Sequence, residues 1–188
     1  STITNILSGS VKQGASTITQ QLARILFLSN ERTFDRKIKE LIIAHRIEKT
    51  ISKDEILEMY LNSVYLGSGV YGVQSASRTF FDKELDQLTL AEQALIAGLP
   101  QAPSIYSPFA NKNAGLKRRN QVLRRMYRNK YITQEQADAA QKESLKLFSQ
   151  NTDILNYYNI KNSNKKNKTL KIFQNWKNQQ VPNLLLLW

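Results

Sequence analysis

The chain has no cysteine and a single histidine, His45, among its 188 residues. The absence of cysteine excludes a disulfide framework and thiol chemistry, and it does not decide the compartment. Because one histidine and no cysteine leave only scattered carboxylates as metal ligands, we predict no metal site. His45 falls on the apolar side of its helix with Leu41 and Ile42, and we expect it to be a core or interface histidine.

Long hydrophobic runs and alternating strand patterns are also missing. No signal peptide is visible, and no run of about 18 or more apolar residues could span a bilayer. The apolar run at residues 184–188 is far too short. No alternating pattern of convincing length predicts a strand. The chain is long enough for one domain with a core, and we predict an all-α fold.

Acidic residues are scarce beside basic ones: 15 Asp and Glu stand against 27 Lys and Arg, a formal charge of +12. Residues 1–148 hold 21 basic and 14 acidic residues, a balance of +7, and residues 149–188 hold 6 and 1, a balance of +5. Such a surface attracts nucleic acid, anionic lipid headgroups or a pyrophosphate-linked substrate. Charge alone does not choose among them.

Two helices joined by a short polar turn are predicted within residues 14–40. In the first, Ser16 is the expected N-cap, and apolar residues recur at helical spacing on one face. The second helix places Phe34 and Ile38 on one side and Glu40 on the other. The apolar face of the first helix comprises Ile18, Leu22, Ile25 and Leu26. The apolar face of the second helix comprises Phe34, Ile38, Leu41 and Ile42.

The opposite faces of these two helices carry an unusual polar stripe. A merely solvated face would hold several Lys and Glu residues, whereas the first helix presents a hydroxyl, two neutral amides and one guanidinium. Amides and hydroxyls suit sugar hydroxyls and phosphate oxygens, and a guanidinium can bind a phosphate through two hydrogen bonds. The stripe therefore predicts a site for a polar, anionic ligand. Its members are Thr17, Gln20, Gln21 and Arg24 on the first helix and Arg36, Lys37 and Glu40 on the second.

Glu40 also has a purely structural interpretation. At helical spacing it is an i,i+4 partner of Arg36 and an i,i+3 partner of Lys37, which would contribute a few tenths of a kcal/mol. Pattern alone leaves this interpretation and a functional one open. Gln20, Gln21 and Arg24 could likewise bridge neighbouring helices without contacting a ligand.

The remaining helices are predicted from their caps. Ser52 with Glu55, and Thr89 with Glu92, have the spacing of capping boxes, and Gly98 ends the helix that the second box begins. The glycines near residue 70 predict a turn between helices with close backbone packing. A last helix, capped by Thr133, is predicted to run to residue 148. The glycines in the turn are Gly67, Gly69 and Gly72.

A strongly basic amphipathic helix is predicted at residues 114–131. We expect its charged side to be a solvated or membrane-facing surface, with nucleic-acid contact as the alternative; none of the nucleic-acid motifs accompanies it. After residue 148 the composition changes to Asn and Lys with scattered aromatics, which is typical of a poorly ordered tail. The basic residues of the helix are Lys117, Arg118, Arg119, Arg124, Arg125 and Arg128.

Residues 1–148 resemble the peptidoglycan glycosyltransferases, the transglycosylase domains of bifunctional penicillin-binding proteins and their monofunctional relatives. The segments GASTITQQLAR and RKIKE look like the second and third signature motifs of that family. Two further blocks match, at residues 53–83 and 88–108, in order and without large gaps. The resemblance implies a lysozyme-like helical domain over residues 1–148, with residues 149–188 lying outside the family pattern.

The resemblance also implies a reaction. The 4-hydroxyl of an acceptor sugar would be joined to the anomeric carbon of a lipid-linked glycan, with inversion and departure of the lipid pyrophosphate. The substrate would be lipid II, a disaccharide-peptide on undecaprenyl pyrophosphate. Glu40 matches the family's second essential carboxylate and would be catalytic. The substrate-binding residues would be Ser16, Thr17, Gln20, Gln21, Arg24, Arg32, Arg36 and Lys37, with Arg24 standing where the family typically has Lys.

The family's first motif, which includes the glutamate taken as the base, lies upstream of Ser1. We therefore expect little or no polymerising activity from this chain alone. The resemblance implies a place at the inner membrane, on its periplasmic face, with lipid II, lipid-linked glycan and the membrane surface as partners and a fused transpeptidase in a longer parent. No cofactor is expected, although a divalent cation at the pyrophosphate is allowed for. The alternatives are a lysozyme-like glycan-cleaving enzyme and a basic helical nucleic-acid-binding protein.

Overall fold

The computed structural model describes residues 16–28 and 33–148 of the chain. Arg32 and the predicted tail, residues 149–188, lie outside these residues. The described residues divide into two compact units, one ending at Tyr60 and the other beginning at Leu61. Apart from one short hairpin the described secondary structure is helical, which confirms the predicted all-α class.

The first unit contains helices α1, Ile18–Phe27, and α2, Phe34–Thr50, and most of α3, Lys53–Ser63. α1 packs against α2, and the unit's buried apolar residues come from all three helices. The capping box of Ser52 and Glu55 is confirmed by its two reciprocal hydrogen bonds. The buried apolar residues are Leu22, Ala23, Ala44, Ile47, Ile56 and Tyr60.

The N-cap of α1 is Thr17, and the prediction of Ser16 was wrong. Thr17 has an extended backbone, and its Oγ1 accepts a hydrogen bond of 3.2 Å from the backbone N–H of Gln20. The Ser16 hydroxyl lies one residue before the cap and has a different partner, the ammonium of Lys37. Both residues have a hydroxyl suited to capping, so sequence pattern alone could not separate them.

The apolar side of α2 is largely exposed. Phe34 is 70% exposed, and Ile38 and Ile42 are also exposed, whereas Glu40 is 1% exposed. His45, predicted as a core or interface histidine, is exposed as well, so it is not a core residue, and the interface alternative stays a prediction. Part of the polar stripe of α2 therefore faces α1, where Lys37 donates hydrogen bonds to Ser16 and Gln20.

The second unit begins with an antiparallel hairpin of β1, Tyr65–Gly67, and β2, Val70–Tyr71. These strands are too short for an alternating pattern to reveal. Gly67 has a φ of +92°, and a Cβ there would lie 2.4 Å from the carbonyl oxygen of Pro103. The glycines thus form a hairpin turn with close backbone approach instead of the predicted turn between helices.

Five helices and two 3-10 turns follow among the described residues of the second unit. The helices are α4 (Val73–Phe81), α5 (Leu90–Gly98), α6 (Pro103–Tyr106), α7 (Lys112–Arg128) and α8 (Gln134–Lys142), and the turns are Leu85–Gln87 and Leu99–Gln101. α7 packs on α5 and α8 around a small apolar cluster. The capping boxes that begin α5 and α8 are confirmed. The cluster comprises Ala91, Ala94, Leu123 and Ala140.

α7 departs from its predicted surface role at Arg119, which is 2% exposed. Its guanidinium donates to the carbonyl oxygens of Gln141 and Glu143, each at 2.7 Å, and to the side chain of Asn120. α8 ends at Lys142 rather than continuing to residue 148. These bonds hold the end of α8 and the segment after it against α7.

Within the described residues, no helix is both long enough and apolar enough to cross a membrane.

Candidate functional site

The candidate site lies in the first unit, where α1 and α2 pack together and bury the carboxylate of Glu40. The Oε2 atom of Glu40 accepts hydrogen bonds from Arg36 Nη1 at 3.0 Å and from Lys37 Nζ at 3.1 Å. Both ion pairs expected from helical spacing are therefore present. Burial distinguishes them from exposed surface pairs, which contribute little.

The two oxygens of Glu40 have different surroundings. Oε2 accepts from two cations, whereas Oε1 is buried and has no hydrogen-bond partner among the described residues. A buried carboxylate oxygen without a donor costs free energy, so native structures rarely leave one unpaired. Such an atom is a candidate to accept a hydrogen bond from a ligand.

Lys37 joins α2 to the start of α1. Its Nζ donates to the hydroxyl of Ser16 at 2.7 Å, to the amide oxygen of Gln20 at 3.2 Å and to Glu40. An ammonium has three donors, and all three are used here. The Lys37 side chain is nevertheless 34% exposed. Its two neutral acceptors are the ones that an anionic oxygen would most readily displace, because charged hydrogen bonds are the stronger ones.

Gln21 is held at both ends of its amide. Its Nε2 donates to the backbone oxygen of Ser16 at 3.2 Å, and its Oε1 accepts from the hydroxyl of Tyr60 at 3.1 Å. Burial raises the pKa of Tyr60 above its ordinary value of 10.0, and the nearby positive charge of Arg24 partly opposes this shift. Arg24 lies half-buried in the last turn of α1.

The structure brings together most of the residues predicted for the site. Five of their side chains form one hydrogen-bonded group, here called the Lys37 cluster: Ser16, Gln20, Arg36, Lys37 and Glu40. Gln21 joins the cluster through Ser16, and Arg24 lies within electrostatic range of Tyr60. Thr17 is used as the helix cap instead, and Arg32 lies outside the described residues. The roles of all these residues in binding or catalysis stay predictions.

Tyr60 is the member of the site that sequence reasoning missed. It was counted among the apolar residues of α3, and its ring is indeed buried. The available signal was the phenol itself, because a buried tyrosine hydroxyl normally needs a polar partner.

The described residues do not fit a protein-held metal ion. Nowhere in the described ranges do three or more His, Cys, Asp or Glu side chains lie together as a ligand set. In the Lys37 cluster the one carboxylate already accepts from two cations through Oε2. A divalent cation carried on a pyrophosphate stays a prediction.

Comparison with known proteins gives the family. The family model described as Transglycosylase matches residues 1–127. The chain belongs to the transglycosylase family. This finding confirms the resemblance seen in the sequence motifs.

Similar members of the transglycosylase family include penicillin-binding protein 1A of Escherichia coli, which is 55% identical over 140 residues, covering 74% of this chain and 16% of that protein. Penicillin-binding protein 1A of Aquifex aeolicus is 50% identical over 149 residues, covering 79% and 20%. The crystal structure of penicillin-binding protein 1A from Haemophilus influenzae superposes with a TM-score of 0.50 at 34% identity, covering 74% and 18%. The chain therefore spans a fifth or less of the length of these relatives.

Proposed function

We propose that this chain forms part of a peptidoglycan glycosyltransferase that polymerises lipid II into β-1,4-linked glycan with inversion at the anomeric carbon. Membership of the transglycosylase family supports the reaction class. The observation that carries the proposal is the Lys37 cluster, in which hydroxyl, amide, ammonium, guanidinium and carboxylate groups converge. These are the group types that a sugar linked to a pyrophosphate requires.

The main task of the Lys37 cluster would be to stabilise the leaving group. As the acceptor oxygen bonds to the anomeric carbon, the bond from that carbon to the pyrophosphate oxygen breaks and its electron pair leaves with the pyrophosphate. Fixed cations aimed at the developing negative charge lower the barrier. Lys37 is the partly exposed cation and Arg36 is the more buried one. Arg24 adds a further positive charge at the end of α1.

We assign Glu40 to orienting these cations rather than to removing the acceptor proton. Its Oε2 holds both Arg36 and Lys37, so their positions depend on it. The other oxygen, Oε1, is available to accept a hydrogen bond from the bound sugar-pyrophosphate. The base that removes the proton of the acceptor 4-hydroxyl is then a different group.

The setting proposed for the enzyme is the periplasmic face of the inner membrane, where lipid II and the lipid-linked glycan are its substrates and the membrane surface is a partner. A fused transpeptidase in a longer protein is part of the same proposal. The support is similarity to penicillin-binding proteins, of whose length the matched segment covers 16% and 20%. The alternatives, a glycan-cleaving enzyme and a nucleic-acid-binding protein, are not favoured by these comparisons.

The test is polymerisation of lipid II by the chain extended at its N-terminus with the preceding segment of the Escherichia coli relative. We expect glycan strands from this protein and none from its Glu40→Gln variant, while the melting temperature stays nearly unchanged. Glu48→Gln, an exposed change on the same helix, is the matched control and should polymerise normally. Comparable polymer from Glu40→Gln would contradict the role given to Glu40, and no polymer from the extended parent would contradict the function.

A further inference from the structure

The amide of Gln21 has one permitted orientation. The backbone oxygen of Ser16 can only accept a hydrogen bond, so the group that faces it at 3.2 Å must be the NH2 end of the amide. The carbonyl end must then face Tyr60. Since that oxygen can only accept, the phenol must be the donor in the 3.1 Å contact. Tyrosine can donate or accept, but its neighbours leave it only the first role here.

The orientation of Gln21 bears directly on Lys37. Gln21 holds the backbone of Ser16, and the hydroxyl of the same residue accepts from Lys37 Nζ at 2.7 Å. Ser16 precedes the cap of α1, so no helical backbone bond fixes its position. A continuous series of hydrogen bonds therefore runs from Tyr60 through Gln21 and Ser16 to the ammonium.

We propose that Tyr60 is a positioning residue for the Lys37 cluster: by donating to Gln21 it fixes Ser16, and through Ser16 it fixes the ammonium that faces the lipid-linked pyrophosphate. The proposal rests on the proposed function and adds to it a residue on α3. Tyr60 itself contacts neither Lys37 nor Glu40 through any of the hydrogen bonds described above. Its effect on ligand binding must pass through Gln21.

The first experiment is a double-mutant cycle measured as lipid II affinity in detergent micelles, with the 188-residue chain. Tyr60→Phe keeps the ring and removes the donor, and we expect it to weaken binding about fivefold, the size of one neutral hydrogen bond. In a Gln21→Leu background the same change should have no further effect, because the acceptor is gone. Tyr106→Phe removes a half-buried phenol in the second unit and should leave affinity unchanged.

The second readout needs no ligand. In Tyr60→Phe the side-chain NH2 signals of Gln21 should shift in a ¹H–¹⁵N NMR spectrum, whereas Tyr106→Phe should leave them in place. Unmoved Gln21 signals, or an equal loss of affinity in both backgrounds, would overturn the proposal for Tyr60 alone. A wild-type chain that binds no lipid II would overturn the proposed function and, with it, the part played by Tyr60 in that function.

Discussion

Two buried charges, Glu40 in the first unit and Arg119 in the second, differ in how completely they are paired. Each nitrogen of the Arg119 guanidinium donates a hydrogen bond: Nε to Asn120, and Nη1 and Nη2 to main-chain carbonyls. Glu40 is as deeply buried, yet one of its oxygens has no partner among the described residues. The two groups therefore face the same desolvation cost with different compensation.

We infer that the difference separates a structural role for Arg119 from the ligand-binding role proposed for Glu40. Arg119 bonds to main-chain groups at and just after the end of α8, so its hydrogen bonds stabilise the fold and engage all three of its nitrogens. The Glu40 carboxylate accepts from two cations through Oε2, and its Oε1 has no donor among the described residues, which leaves that atom for the ligand contact proposed above.

The largest expected effect comes from removing Arg119, the buried charge whose three nitrogens all donate hydrogen bonds. Arg119→Met should lower the free energy of unfolding by about 3 to 5 kcal/mol, because two main-chain carbonyl oxygens lose a charged donor that is itself buried. Urea unfolding followed by circular dichroism measures it. Arg124→Met, at an exposed position of the same helix, should change stability by less than about 0.5 kcal/mol. A loss below about 1 kcal/mol for Arg119→Met would show that its hydrogen bonds do not hold the fold.

A smaller effect on stability and a clear one on binding are expected from Lys37→Met. The change removes the ammonium that joins Ser16, Gln20 and Glu40. Lipid II affinity, measured by isothermal titration calorimetry, should fall about tenfold or more, the loss expected for a charged hydrogen bond. Lys39→Met is the matched control, since Lys39 pairs with exposed Asp35 on the same helix. Equal affinities for the two variants would remove Lys37 from the site.

The two hydroxyls at the start of α1 should behave differently on truncation. Thr17→Ala removes the helix cap and should cost about 1 kcal/mol of unfolding free energy with little change in lipid II affinity. Ser16→Ala removes an acceptor of Lys37 and should cost less stability while weakening binding. Chemical denaturation and calorimetry on the same two variants give both quantities. If Ser16→Ala lowered the unfolding free energy more than Thr17→Ala did, Ser16 rather than Thr17 would be the cap.

The smallest effect concerns alkaline pH. Burial raises the pKa of Tyr60, so the neutral phenol is favoured in the folded chain. This contribution is fully present below the ordinary pKa of 10.0 and is lost as pH rises through the higher folded value. Wild type should therefore lose stability relative to Tyr60→Phe above that range, as measured by urea unfolding at a series of pH values. A constant difference between the two proteins would contradict the raised pKa.

Local rules predicted much of this fold. The capping boxes at Ser52, Thr89 and Thr133 were found because a cap involves side chains and backbone within one turn. The convergence of Gln20, Lys37 and Glu40 was likewise visible as a stripe at helical spacing on two successive helices. In both cases the partners are near in sequence, or the pattern that joins them repeats along one helix face.

The failures share a different cause: the deciding partner lies far along the chain. Arg119 looked like one more surface cation because its acceptors follow it by more than 20 residues. Phe34 and Ile38 share an apolar face, but that face is exposed, and the buried residues of α2 are Glu40, Ala44 and Ile47. Tyr60 was missed since its partner, Gln21, lies 39 positions away. Periodicity shows which residues share a face and not which face meets another element.

The most direct test of the central claim is a phosphorus-31 NMR titration of lipid II with the 188-residue chain. If Glu40 orients the cations that bind the pyrophosphate, the two phosphorus signals should shift on adding wild-type protein. Glu40→Gln should then need about tenfold more protein for the same shift. Identical titrations for the two proteins, with both correctly folded, would contradict the claim that this buried carboxylate organises a pyrophosphate site.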